Sequence, residues 1–309
     1  MSVSSELDIE LARRGRVTSR NHAKLGYTRL MRGVYGRAPS TQGLDEWEAR
    51  RAEFITRTRA VMAAYAHKDP VLFGTTALQV LRVALPERLE DWDHVHISLP
   101  PGRRRPLAAG VVAHRRSYPA KVWARVDGLP LQHPVEHWMQ LRGATEDELV
   151  EVGDGFVRRK NPLLTMEAIR SYLAGCAGRP GSTQVAKALR LVRPRTDSLY
   201  ETRTRLILVR AGLPEPDVDY EVPASRGWRD YHLDMAYPRE KIGVEYDGAE
   251  HVANRRQMEI DANRRREIQD GGWIVITVTA SQLRQPGPFV GSVESALVLR
   301  RGALAAARA

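Results

Sequence analysis

The chain has 309 residues, 48 Lys and Arg against 37 Asp and Glu, a net charge of +11 and 42% hydrophobic residues. That length predicts about two compact units with a small extra module, and the apolar content excludes global disorder. A single cysteine, Cys176, excludes disulfide frameworks and cysteine zinc sites and fits a reducing cytosol, while the lack of any run of about 18 apolar residues or of a basic-then-apolar leader argues against membrane and secreted classes.

Residues 5–14 read as a short helix with Leu7, Leu11 and Ala12 as its apolar stripe. Thr18 or Ser19 caps a second short helix, which Gly26 ends. Val34 and Tyr35 read as a strand, so residues 1–40 are expected to form a winged-helix-like module. Between Gly26 and Val34 there is room for only about one and a half helical turns, short for a recognition helix. A long helix is predicted from Asp45 to about Ala66, and another from Thr75 or Thr76 through Val83. The runs 94–99 and 111–114 alternate at period two and read as strands. The turn between them carries Arg103, Arg104 and Arg105. Helices follow at 134–142, 145–158, 165–174 and 182–192. The linker is Arg193-Pro-Arg-Thr-Asp197, which bounds a helix-rich α/β domain at 41–195.

From residue 196 the rhythm changes. Ser198 can cap a helix through Val209, and strands are predicted at 218–222, 231–237 and 242–247. A polar, Arg-rich helix covers about 254–269, Gly271-Gly272 ends it, and 273–278 is an apolar strand before a last helix near 290–308. The order αβββαβα predicts a mixed α/β sheet flanked by helices over 196–309. No internal repeat is present. Of the 48 cations, 42 are Arg, the better phosphate fork, and such an excess favours a polyanionic partner.

Two strands carry the chemistry. Alternation puts Leu233, Met235 and Tyr237 on one face and His232, Asp234 and Ala236 on the other. In the next strand Ile242, Val244 and Tyr246 oppose Gly243, Glu245 and Asp247. A hairpin through Pro238-Arg-Glu240 brings Asp234 and Glu245 to one side of the sheet. Converging carboxylates are what a hard cation such as Mg²⁺ takes as ligands. Gly248 permits a sharp turn, and His251 follows within reach of the same edge. The plainer reading is solvated acids on an edge hairpin, with Glu201 in an i,i+4 ion pair with Arg205 and Asp261 beside Arg264 or Arg265.

The run 232–238, His-Leu-Asp-Met-Ala-Tyr-Pro, together with Ile242-Gly-Val-Glu-Tyr-Asp-Gly248, His251, Asp261, Arg264-Arg265 and Gly272-Trp-Ile-Val-Ile-Thr277, resembles an uncharacterised bacterial family. That family is related to the very-short-patch repair endonucleases of the PD-(D/E)xK restriction-endonuclease-like superfamily. The resemblance covers about 196–300. It implies a restriction-endonuclease-like domain with Asp234 and Glu245 as metal ligands and Glu201 as an outer support. It also implies Mg²⁺ or Mn²⁺ as cofactor and DNA as partner. The superfamily's Lys two residues after the strand Glu is replaced by Asp247. The very-short-patch branch also lacks it and relies on His, which makes His251 the expected base or transition-state stabiliser. Lys241 shares the parity of Glu245 but lies about 13 Å along the strand. Arg255, Arg256, Arg264 and Arg265 are expected along the DNA backbone.

More loosely, Arg32-Gly-Val-Tyr35, 93–98 (Asp-His-Val-His-Ile-Ser) and Gly128-Leu-Pro-Leu131 resemble the antitoxin proteins of abortive-infection systems, which join a winged helix to an α/β domain. His94 with His96, and His133 with His137, have spacings a zinc site can use, but no supporting pattern accompanies them. No P-loop is present, and Cys176 reads as structural. The expected function is a cytoplasmic metal-dependent DNA endonuclease or nickase in repair or defence. The alternative is a DNA-binding, antitoxin-like transcriptional regulator on a catalytically inactive nuclease fold. A homodimer, or a partner toxin or repair protein, completes the expected contacts.

Overall fold

The computed structural model of the protein describes residues 10–11, 19–31, 34–103, 108–117, 119–222, 231–248 and 255–306, with only the backbone of 10–11 and 255–262. It is a mixed α/β chain that divides into two compact units, 1–144 with 175–185, and 145–174 with 186–309. The second unit therefore begins well before residue 196, and it includes two helices expected in the middle domain.

In the first unit, β1 (Glu10–Leu11), β2 (Thr28–Met31) and β3 (Val34–Gly36) form a sheet of order β1-β3-β2. Residues 10–11 are thus a strand and not part of a helix; 5–9 and 12–14 lie outside the described residues. Residues 28–31 fill with a strand the interval weighed for a recognition helix. The helix expected up to Leu25 is one turn of 3-10 helix, Ala23–Leu25, ended by Gly26 at φ 73°. α1 (Glu46–Ala64) starts where Asp45 accepts the Glu48 N–H at 2.8 Å. β4 (Val71–Leu72), α2 (Gly74–Val80), β5 (Val95–Leu99) and β6 (Val111–Arg115) follow. β5 pairs antiparallel with β4 and parallel with β6. β7 (Ala124–Val126) and β8 (Leu129–Leu131) form a hairpin that the pattern analysis does not predict. Its turn, Asp127-Gly128, has φ of 51° and 76°, the left-handed pair that a two-residue hairpin needs. α3 (Pro134–Met139) ends the first stretch.

In the second unit, α4 (Glu146–Phe156) opens on a Thr145/Glu148 capping box, and α5 (Met166–Ala174) follows. α6 (Ser182–Ala188) spans the division at 185. α7 (Leu199–Arg210) is capped by Ser198 as expected. β9 (Asp217–Val222), β10 (Tyr231–Tyr237), β11 (Ile242–Asp247), α8 (Arg255–Asp270) and β12 (Ile274–Thr279) come next, then α9 (Ala280–Arg284) and α10 (Gly287–Ala306). The sheet order is β12-β11-β10-β9, antiparallel except for the β11/β12 pair. One face packs Leu208 of α7 and Phe289, Val293 and Leu297 of α10 against Met235, Tyr237, Ile242 and Val244. The other packs Ile268 of α8 and Trp273 against Leu233 and Ala236. Among the described residues no helix is long and apolar enough to cross a membrane.

Candidate active site

The site begins where the β10/β11 ladder stops. Pairing runs through Tyr237↔Ile242, Ala236↔Gly243 and Met235↔Val244. Beyond it, Asp234 Oδ2 accepts the Tyr246 N–H at 2.8 Å, so a side chain takes over as the acceptor for β11. The alternation expected for β10 also slips here. Leu233 lies with Ala236, not with Met235 and Tyr237. Gly243 makes that possible, because a Cβ there would come within 2.8 Å of Leu233 Cδ1.

Three carboxylates from three elements sense one another at this point. Asp234 is half-buried, and its carboxyl is pushed up to about 7. Burial is the largest cause, followed by the negative charge of Glu201 and then of Glu245; the Tyr246 N–H and Arg264 oppose it without winning. Glu201 is also raised, by burial first and by the Asp197 charge, against hydrogen bonds from the Asp197 N–H and Ser198. Its Oε2 accepts the Asp197 N–H at 2.9 Å. The i,i+4 pair with Arg205 does not form. Arg205 is fully buried and donates instead to Asp154 and Glu215, each at 2.9 Å. Glu245 is closed by the Arg264 guanidinium, whose Nη2 also donates to the His232 carbonyl at 2.5 Å. Tyr200 of α7 stacks on Tyr246 at 4.7 Å and 13°, tying the helix of Glu201 to the strand of Glu245.

The other expected residues stand apart from this trio. Asp247 is exposed at the end of β11, opposite Thr279, and nothing among the described residues bonds to its side chain. His251 lies outside the described residues. Arg255 and Arg256 lie at the start of α8, with side chains outside the description, as for Asp261. Arg265 is exposed, whereas Arg264 is turned inward onto Glu245. Lys241 sits at the β10–β11 turn and donates to the Gly271 carbonyl at 3.0 Å.

A second constellation, which alternation along the strands does not reveal, lies beside the first. Asp219 of β9 is nearly buried and has φ 49°, a left-handed conformation that Asp tolerates. A carboxylate can only accept, so His232 Nδ1–H donates to it, at 2.8 Å. Arg195 Nε donates to it at 2.6 Å, and Arg159 lies at 3.4 Å. Arg159 Nε also donates to Asp197 at 2.9 Å. These residues come from the expected linker and from the loop after α4. Linear spacing gives no sign that they meet; the one hint was His232, two residues before Asp234.

Asp234 and Glu245 are the donor type, carboxylate oxygen, that a hard divalent cation takes. Burial first, and the neighbouring negative charge second, make the Asp234 charge costly, and a cation would offset it. Mg²⁺ commonly binds one or two carboxylates and keeps its waters. Among the described residues no group of three or more His, Cys, Asp or Glu forms a ready-made metal cage.

No family model matches the chain. Over 200 residues it is 27% identical to the uncharacterised proteins MT2308 and Rv2248 from two strains of Mycobacterium tuberculosis, a match covering 63% of this chain and 71% of each of them. A crystal structure of the RV2827C protein from Mycobacterium tuberculosis aligns at 16% identity with a TM-score of 0.35, covering 69% of this chain and 80% of that one.

Proposed function

We propose that the second unit is a metal-dependent DNA endonuclease or nickase related to the very-short-patch repair enzymes, acting in repair or defence in the cytoplasm. One observation supports this above the others. Asp234 is raised to about 7 by burial first and then by Glu201 and Glu245, so its negative charge is costly and a proton or a cation would relieve it. Mg²⁺ or Mn²⁺ held by Asp234 and Glu245 would polarise a phosphodiester and activate water. The chain's own residues do the rest. Glu201 keeps the local field negative, Tyr246 N–H fixes the Asp234 carboxylate in one orientation, and Arg264 neutralises Glu245 while no cation is bound. Exposed Arg265 is available to a phosphate backbone, where such contacts add salt-sensitive affinity.

The same Arg264–Glu245 pair favours a second reading. An internal guanidinium already satisfies a carboxylate that a nuclease reserves for metal, as expected of a DNA-binding, antitoxin-like regulator on an inactive nuclease fold. Plasmid and mismatched duplex incubated with Mg²⁺ or Mn²⁺ separate the two. Cleavage that Asp234→Ala and Glu245→Ala abolish supports the enzyme. Salt-dependent duplex binding without cleavage, unchanged in those variants, supports the regulator. Loss of both leaves neither standing.

A further inference from the structure

The first unit contains a cleft of about 680 Å³, lined by residues of α2, β6, α3 and the 175–185 segment. That volume lies within the range of small-molecule sites. In it His96 Nδ1 and His114 Nε2 are 3.0 Å apart. Their ring centroids are 5.3 Å apart with planes only 19° from parallel. The centroid separation exceeds the nitrogen separation by about 2.3 Å, one ring radius on either side, so the rings meet head to head. A metal bound by both nitrogens needs lone pairs that converge on a third point. Here they face each other along a line, the geometry of a shared proton.

The chain continues behind them. His96 Nε2 meets Asp91 Oδ2 at 2.9 Å, and His94 Nδ1 meets Asp91 Oδ1 at 3.0 Å. Burial alone would raise the Asp91 carboxyl, but the hydrogen bonds from His96 and His94 outweigh it and hold it below its ordinary range. Asp91 is therefore an acceptor, His96 donates to it from Nε2, and His96 Nδ1 accepts from His114. Phe73 lies flat against the His114 ring, 3.9 Å between centroids at 12°.

The lining is cationic. Its one acid, Glu136, is taken by Arg179 through both guanidinium nitrogens at 2.5 Å, and Arg116 is taken by Asp69. Arg115 and Arg142 are exposed and make no ion pair among the described residues. Gln140 Oε1 accepts the Gly74 N–H at 2.8 Å, leaving its amide NH₂ as a donor. Two guanidiniums and an amide are a set of donors for a multiply charged anion; His114 has given its N–H to His96 and is not among them. The volume exceeds what a bare phosphate fills, and Val112, Met139 and Leu141 give an organic body an apolar wall.

We infer that this cleft binds a phosphate monoester carried on a small organic group, with Arg115, Arg142 and the Gln140 amide on the phosphate and the Asp91–His96–His114 chain fixing the rings of the floor. Isothermal titration of the full chain with adenosine 5′-monophosphate, in EDTA so that no cation bridges the ligand elsewhere, tests it. Saturable binding is expected, with adenosine silent and affinity at least fivefold weaker in Arg115→Ala and Arg142→Ala. The two Arg side chains are exposed, so their loss leaves the fold intact. Absence of heat up to millimolar ligand, or Arg variants that bind as wild type does, overturns the assignment. A 5′-phosphorylated oligonucleotide beside its 5′-hydroxyl form tells the source: preference for the phosphorylated strand assigns a polynucleotide end, and binding of the mononucleotide alone assigns a free metabolite.

Discussion

Arg264 closes on Glu245, so the helix that follows β11 supplies a cation to the carboxylate the strand presents. The guanidinium and a divalent metal therefore compete for one group. Arg264→Ala is expected to tighten Mn²⁺ binding about three- to tenfold, in line with the strength of a charge-assisted hydrogen bond. The Mn²⁺ titration is read by calorimetry, and unchanged affinity would remove Glu245 from the ligand set.

Asp234 makes stability fall as pH rises. A carboxyl raised from its ordinary 3.8 to about 7 holds its proton more tightly folded than unfolded. The folded state then loses stability between about pH 4 and 7 and keeps that loss above 7. At about 1.4 kcal/mol per pKa unit the loss between pH 5 and 8 is on the order of 3 kcal/mol. Glu201, also raised, acts with the same sign. Urea unfolding in EDTA should show Asp234→Asn more stable than wild type at pH 8 and less different at pH 5. Saturating Mn²⁺ should narrow the pH 8 gap by stabilising wild type alone.

Gly181 has φ 87°, and a Cβ there would overlap the Met139 carbonyl. Gly181→Ala is expected to cost roughly 3 kcal/mol or more, combining a left-handed conformation with backbone overlap. Gly178→Ala is the control. Its φ is 77° with nothing within 4 Å, so only the conformational part, about 1–2 kcal/mol, applies. Equal denaturation midpoints for the two variants would refute the overlap.

Arg205 and Asp154 are 0% and 1% exposed and join α7 to α4 at 2.9 Å. Arg205→Met alone leaves Asp154 buried and should cost about 3–5 kcal/mol. Arg205→Met with Asp154→Leu should recover much of that, because the desolvated charge goes too. A double variant as unstable as the single one would show that the pair's worth lies elsewhere.

The bounds of β10 and β11, 231–237 and 242–247, were legible as runs of alternation, and Ser198 marked the start of α7 through its capping chemistry. So were the two strand carboxylates. What escaped the pattern has a common physical cause. Periodicity reports which side chains avoid water, and Arg205, Asp154 and Asp219 look like surface residues because their burial is offset by partners far away in the chain. Leu233 escaped because alternation assumes an unbroken sheet, and the ladder of β10 with β11 ends at Met235 although its pairing with β9 continues. Residues 28–31 were too few to show a period at all.

The division of the chain bears on how its parts can be inherited. Each unit is assembled from two separated stretches, 1–144 with 175–185 and 145–174 with 186–309. No single cut releases both whole. A break at the Pro-containing linker near 195 would strand three guanidiniums of α7, since Arg203, Arg205 and Arg210 pair with Glu151, Asp154 and Glu146 of α4. A break anywhere between α4 and α7 parts the acidic cluster from its support, whereas one before Thr145 carries the cluster and its support together.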